Sequence, residues 1–486
     1  MTATGKSFAG LLAACLVAGA LGLYAYYGVK KPQERQAEQK EVSDRLVAVP
    51  PAGGVDGGVP TFTSLTVEAR GETTVLERRG DKWFLTSPVQ APADEHAVSQ
   101  LVGQLRAGKV KARLDEQPSP EDLARYGLAP PKFSVRGTAQ SGAATRPFQL
   151  QGGIENPFDG SVFVRKDQDP AVYAAPGSVR STLEKTPFQL RDKTLWHLDP
   201  TALAAVEVKL PRNGGYSLRH PAEGWTLVLP RKGAADDETV TAMLTAFASE
   251  RALAFPQEAP QGVSFQSPLL DASFNTASGA PLRVRIAADK EGRHYALREE
   301  GAASLLAEVA PSALTHLQKG YDQLRDKSVL RFDRQAAARL VFRPAGTGEE
   351  IELVREGSDA GVSDRWRVTR PVQGPATAWK VSTLLWGLSS LKARAVAAES
   401  SRNLASFGLT ADSPRARVYD ALGQLLAELT VGATSRADPS LSYARGGSPL
   451  IFEVEKNRLT ELPTDANTLL DSSLASDAGV AASDPQ

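Results

Sequence analysis

The chain has 486 residues, 42% of them hydrophobic and 23% charged, which is enough apolar material for packed cores and excludes wholesale disorder. Lys plus Arg and Asp plus Glu both number 56, so no net field draws the chain to nucleic acid, and no basic tract supplies one locally. The single cysteine, Cys15, excludes an intrachain disulfide, a Cys-based zinc site and an iron–sulfur cluster, and five scattered histidines leave little for another metal. The expectation is a chain with no metal, no cofactor and no nucleic-acid partner.

From Phe8 to Tyr27 runs an uncharged stretch of twenty residues, about 30 Å long as a helix and enough to cross a bilayer core. Tyr24, Tyr26 and Tyr27 crowd one end, where amphipathic rings sit at the headgroup level, and Lys30 and Lys31 follow. Residues 1–30 therefore read as a transmembrane anchor. A cleaved signal peptide is the rival, because Ala18-Gly19-Ala20 is a small-residue site, although the apolar run continues past it. Leu12-Ala13-Ala14-Cys15 also resembles a bacterial lipobox, but apolar residues follow Cys15 where a polar tether usually begins. Lys30, Lys31, Arg35 and Lys40 follow the span while Lys6 precedes it, which by charge alone leaves the bulk of the chain in the cytoplasm. Against that, a short N-terminus with one Lys before an apolar run is how an export signal begins. Residues 31–60 read as a linker: a charged helical stalk over 32–48, then a hinge from Pro50-Pro51 to Pro60.

The rest of the chain repeats itself. Trp83, Trp225 and Trp366 are spaced by 142 and 141 residues, and Pro88, Pro230 and Pro371 close their strand-like segments at the same intervals. Asp94, Asp236 and Thr377 keep that register and mark helix starts, where a side-chain oxygen can accept from the unpaired N–H groups of the first turn. Apolar residues follow at i, i+3, i+4 and i+7: Val98, Leu101, Val102 and Leu105; Val240, Met243, Leu244 and Phe247; Val381, Leu384, Leu385 and Leu388. This is one stripe of an amphipathic helix docked on a sheet. Ser119 and Ser401 then read as caps of a short helix that ends after Tyr126 or Phe407 in Gly127 or Gly408, the left-handed stop. The second copy keeps Phe265 there and lacks the glycine. The remainder alternates in strand fashion up to a closing helix, and Gln189 to Lys193 repeats letter for letter at Gln323 to Lys327.

The predicted fold is α+β: an N-terminal transmembrane helix, then three tandem homologous modules of antiparallel strands with packed helices. The modules cover 61–195, 196–330 and 331–470, and residues 471–486 form a disordered tail without apolar periodicity.

No stretch carries a recognisable catalytic signature. The carboxylates Asp236, Asp237 and Glu238 stand at a helix start, where negative charge meets the positive end of the helix dipole. None of His96, His197, His220, His294 and His316 recurs in all three modules. The recurring Arg-Asp-Lys around Asp192 and Asp326 reads as a salt-bridged joint between consecutive modules. The three repeated tryptophans could stack on a sugar or base, but their strand setting makes them core residues first.

These residues resemble the DUF4340 family of uncharacterised bacterial proteins, whose W-x-L-x-x-P segment, following helix, Y/F-G-L turn and closing R-D-K stretch are all met between residues 61 and 470. The resemblance carries over no catalytic residue. It implies a single-span inner-membrane protein with its bulk in the periplasm, found in the company of ABC-type transporters similar to the system implicated in gliding motility. The expectation is a membrane-tethered, non-enzymatic adaptor held in the bilayer by residues 8–27. Its partners would be envelope proteins, ABC transporter subunits among them. An envelope hydrolase acting on cell-wall glycan or peptide, and a periplasmic ligand-binding sensor, are the alternatives.

Overall fold

The structure is a computed structural model that describes Tyr26, Lys30 and residues 40–41, 43–47, 60–141, 144–211, 214–346, 349–356 and 365–471. The predicted span, the hinge up to Val59 and the tail from residue 472 lie outside the described residues, apart from Tyr26. Among the described residues no helix is long and apolar enough to cross a membrane. The chain forms two compact units, Met1–Leu195 with Arg251–Phe255, and Trp196–Glu250 with Pro256–Gln486.

The first unit is built on a nine-stranded antiparallel sheet. Its strands are β1 (Thr61–Ala69), β2 (Glu72–Arg79), β3 (Lys82–Ser87), β4 (Ala91–Pro92), β5 (Ala112–Asp115), β6 (Phe133–Ser141), β7 (Ala144–Glu155), β8 (Val162–Lys166) and β9 (Val172–Ala175). They lie in the order β4-β3-β2-β1-β6-β7-β8-β9-β5. Strand β1 shows why the alternation works: Leu65, Val67 and Ala69 are buried at a period of two, and a register shift between Phe62 and Leu65 brings Phe62 to the same core across one extra residue. Helix α1 (Glu95–Ala107) buries the predicted stripe of Val98, Leu101, Val102 and Leu105 in that core. Helix α2 (Pro120–Arg125) is the short capped helix, and α3 (Ser178–Leu183) and α4 (Pro187–Leu190) close the module.

The second unit repeats the plan twice. An eight-stranded sheet of β10 (Leu203–Lys209), β11 (Tyr216–Arg219), β12 (Thr226–Leu229), β13 (Gly233–Ala234), β14 (Leu270–Thr276), β15 (Leu282–Ala288), β16 (His294–Glu300) and β17 (Ala303–Val309) runs β13-β12-β11-β10-β14-β15-β16-β17. Its helices are α5 (Asp237–Ala248), α6 (Pro311–Leu317) and α7 (Tyr321–Leu324). The edge strand that would match β5 is missing, and Pro256 stands in that stretch, where it can neither donate to a ladder nor continue one. The last sheet restores the edge: β18 (Arg339–Arg343), β19 (Ile351–Arg355), β20 (Trp366–Arg370), β21 (Gly374–Pro375), β22 (Ala395–Ala398), β23 (Arg415–Tyr419), β24 (Leu425–Thr434), β25 (Leu441–Arg445) and β26 (Ile451–Glu455) run β21-β20-β19-β18-β23-β24-β25-β26-β22. Helices α8 (Ala378–Ser389) and α9 (Lys456–Leu459) complete it. Three antiparallel sheets of matching strand order, each with helices on its core, make the fold α+β.

Candidate functional site

The repeated residues are scaffold. Trp225 and Trp366 are buried, Trp83 packs half-buried on the first core, and the His220 ring stacks on Trp225 at 4.2 Å. Pro88, Pro230 and Pro371 each follow a cis peptide bond. Asp94 accepts from the Ala97 amide at 3.0 Å and Asp236 from the Thr239 amide at 2.9 Å, each capping its helix. Thr377 departs from the expectation: its hydroxyl donates to the Leu470 carbonyl at 3.0 Å, so the start of α8 has no side-chain cap. Ser119 closes a capping box with Asp122, whereas Ser401 accepts only from the Asn403 amide, ahead of a 3₁₀ turn over Leu404–Phe407. Gly127 and Gly408 have φ of 69° and 70°, and a Cβ on either would stand 2.7 Å from Ile154 Cγ2 or 2.5 Å from the Ala433 nitrogen.

What recurs as chemistry is a splice. In the first unit the Ala252 amide donates to the Lys193 carbonyl at 2.9 Å, and Arg251 pairs with Asp94 at 3.2 Å. In the second unit the Ala393 amide donates to the Lys327 carbonyl at 2.8 Å, and Lys392 pairs with Asp236 at 2.9 Å and Glu238 at 3.1 Å. Burial works against the Asp236 carboxylate, but Lys392 and the Thr239 amide outweigh it and hold its pKa below the ordinary value. The same joint occurs a third time, ahead of the first module. The Val110 amide donates to the Asp44 carbonyl at 2.7 Å, the Leu46 amide to the Gly108 carbonyl at 2.9 Å, and Lys109 pairs with Glu41 at 2.9 Å. Lys109, Arg251 and Lys392 are 142 and 141 residues apart, the register of the repeat.

Residues 43–47 thus hold the place that a closing segment holds in the later joints. Leu46 and Val47 are 2% and 1% exposed within the first core, and the buried Lys166 ammonium donates to the carbonyls of Ser43 and Arg45. Burial lowers the Lys166 pKa. This corrects the stalk. Helical geometry is present at Lys40, Glu41, Ser43 and Asp44, but the chain leaves the helix at Arg45 because Leu46 and Val47 have a core to enter.

Two concave sites stand out in the second unit. A cavity of about 590 Å³ opens where the second sheet's closing segment meets the third module. Arg325, 6% exposed, donates to both oxygens of Glu399 at 2.7 and 3.1 Å, above the Tyr321 ring. The Arg325 contact holds the Glu399 carboxyl below its ordinary range. Asp326 accepts from the Ser328 amide at 3.0 Å and from Arg331 Nε at 3.1 Å. Both carboxylates are engaged by cations and donors, which suits binding and joint-making, and the Arg325 contact disfavours the protonated form of Glu399. The Ser448 hydroxyl in this lining is buried without a hydrogen-bond partner.

The other site is an apolar groove of about 370 Å³ in the third module, between α8 and residues 458–469. Leu384, Leu388, Leu459 and Leu462 line it together with Trp379 and Lys380 of α8 and with Arg458 and Glu461. Trp379 is 65% exposed, and Trp386, over which Arg458 sits at 5.8 Å, is 51% exposed.

A family profile described as a domain of unknown function, DUF4340, matches residues 83–268 and 366–484, more than half of the chain. The chain belongs to the DUF4340 family. Both matched stretches begin on a repeated tryptophan, Trp83 and Trp366, so the family's unit follows the repeat seen in the sheets. No curated protein and no solved structure matches this chain.

Of the features of this DUF4340 chain described above, sequence reasoning missed the docked leader and the groove. The leader had a signal in Arg45-Leu46-Val47, which aligns with Thr194-Leu195-Trp196 and Ser328-Val329-Leu330 once the Lys109 register is applied. The groove had one in Trp379 and Trp386, two helical turns apart and off the apolar stripe of α8. The histidines are dispersed: His96 meets Gln100, His220 stacks on Trp225, and His316 pairs with Glu250 at 3.0 Å.

Proposed function

We propose that this DUF4340 chain is a non-enzymatic adaptor, tethered to the bacterial inner membrane by residues 8–27 and presenting its modules to envelope proteins in the periplasm, as an accessory to an ABC-type transporter. The observation that carries the reading is the groove of the third module, an apolar cleft rimmed by exposed tryptophan and cations, the composition of a partner-binding hot spot. The pairing of Glu399 with Arg325 and of Asp326 with Ser328 and Arg331 favours this over a wall glycosidase, which needs two carboxyl groups free to reach a substrate. The buried, unpartnered Ser448 hydroxyl favours a second reading, a sensor that takes a small polar ligand in the cavity above Tyr321. In vivo crosslinking, detergent extraction and identification of co-purifying subunits test the adaptor. Recovery of a transporter or envelope protein is the expected result. Hydrolysis of a wall substrate with no partner recovered would overturn it.

A further inference from the structure

We propose that the groove of the third module binds an amphipathic helix of a partner protein, one that offers two aliphatic side chains a single turn apart and an acidic flank. The inference rests on the adaptor reading and names the chemistry of its partner.

The chain's own modules supply the template. In the first, α3 packs on α1 and buries Val179 and Leu183; in the second, α6 packs on α5 and buries Ala313 and Leu317. Counted back from the closing leucines Leu190, Leu324 and Leu469, which accept from the residues at the starts of α1, α5 and α8, these are positions eleven and seven. The third module has Arg458 and Leu462 at the same positions. An arginine without a counter-charge is not buried between two helices, and Arg458 lies instead over the Trp386 ring. Pro463 withholds the amide that would extend α9 and disfavours helical backbone at Leu462, so α9 ends at Leu459, whereas α3 and α6 run on to Leu183 and Leu317. Beside the buried stripe of α8 a groove therefore stays open, lined by Leu384, Leu388, Leu459 and Leu462, and a helix bearing an i, i+4 aliphatic pair would fill it.

Charge identifies the flank. In the second module Glu250 meets His316 at 3.0 Å beside the covered face. Around the open groove stand Arg458, which has no carboxylate partner among the described residues, and Lys380, whose Nζ donates only to the Thr468 carbonyl at 2.6 Å, against the single carboxylate Glu461. Carboxylates on the incoming helix would pair with these two cations, and Trp379 would cover the helix from the exposed side.

The test uses the full chain in lipid nanodiscs and fluorescent sixteen-residue helical peptides with leucines one turn apart, flanked by Glu or by Lys. The Glu-flanked peptide should bind saturably. Replacing its leucines by Asn should weaken binding at least tenfold. In the protein, Thr383→Arg, on the exposed lining, and Arg458→Glu should each cost at least tenfold with Tm unchanged, and Arg458→Glu should transfer the preference to the Lys-flanked peptide. Absence of saturable binding, or equal binding of the two peptides, would overturn the proposal. So would binding that appears only after deletion of residues 472–486, self-association lost in Thr383→Arg, or displacement of the peptide by phosphatidylglycerol vesicles, which make the occupant the chain's own tail, a second copy or lipid. If the peptides fail while crosslinking still recovers an envelope partner, this inference falls and the adaptor reading stands.

Discussion

Truncating Leu46 to Ala tests whether the leader is spliced to the first module. Leu46 is 2% exposed, and a Cβ added to Gly108 would lie 2.5 Å from its Cδ1, so the side chain fills a close-fitting slot beside the end of α1. Losing three buried carbons together with the cavity they leave costs about 2–5 kcal/mol, and the closeness of the packing puts the expectation in the upper half of that range. The loss falls on a local unit, because the Val110 and Leu46 amides are tied to this segment by hydrogen bonds of 2.7 and 2.9 Å. Hydrogen exchange should therefore accelerate at these two amides by about 300-fold or more, and urea unfolding of the first unit should move to lower denaturant. Leu114→Ala, at a half-exposed strand position, is the control and should cost less than about 0.5 kcal/mol. A Leu46→Ala protein with unchanged exchange at Val110 and stability within about 0.5 kcal/mol of the parent would refute the splice.

Three further outcomes follow from the scaffold. Gly408→Ala forces a side chain onto a backbone at φ 70° and against Ala433, and should cost about 2 kcal/mol or more, against about 1 kcal/mol for Gly423→Ala, where φ is 79° and nothing lies near; parallel thermal melts compare them. Trp225→Ala removes a buried indole and should cost about 3–5 kcal/mol; a variant that keeps its melting temperature would show the ring to be a surface feature. Arg370, with Arg339 and Thr369, holds the Glu352 carboxyl at about 2, below its ordinary 4.5. The stabilisation is therefore fully present above 4.5 and lost as pH falls toward 2, on the order of 2 kcal/mol once solvent screening of the partly exposed arginines is allowed for. Urea titrations at pH 6 and pH 3 should show Glu352→Gln losing less stability on acidification than the parent, and equal losses would contradict the assignment.

The repeat was legible because it rests on local chemistry: a proline after a strand, an apolar stripe at helical spacing, a glycine where φ must be positive. Val98 to Leu105 and their counterparts are buried in each module, and Gly127 and Gly408 stop their turns where the spacing places them. What the pattern could not show was how a residue is used once the chain is folded. Thr377 keeps the register of a cap yet donates to Leu470, and Ser401, seven residues before Gly408 where Ser119 stands eight before Gly127, lacks the box partner. The charges of the leader favour helix and give it the pattern of a stalk, while the two residues that decide its fate, Leu46 and Val47, are too few to form a period. The groove was invisible for the opposite reason. It arises from Arg458 in the place of Val179 and Ala313 and from Pro463, which ends α9 early, and these mismatches have meaning only when the three closing segments are aligned by the hydrogen bonds they make.

Site-specific photocrosslinking from position 383 in living cells tests the adaptor claim most directly, with position 158, an exposed aromatic of the first module, as the control. The account predicts an adduct at 383 whose crosslinked peptide maps to an acidic, amphipathic helical segment of one envelope protein, with no such adduct from 158. Adducts only to lipid or to the chain itself, or the same proteins captured equally from both positions, would contradict it.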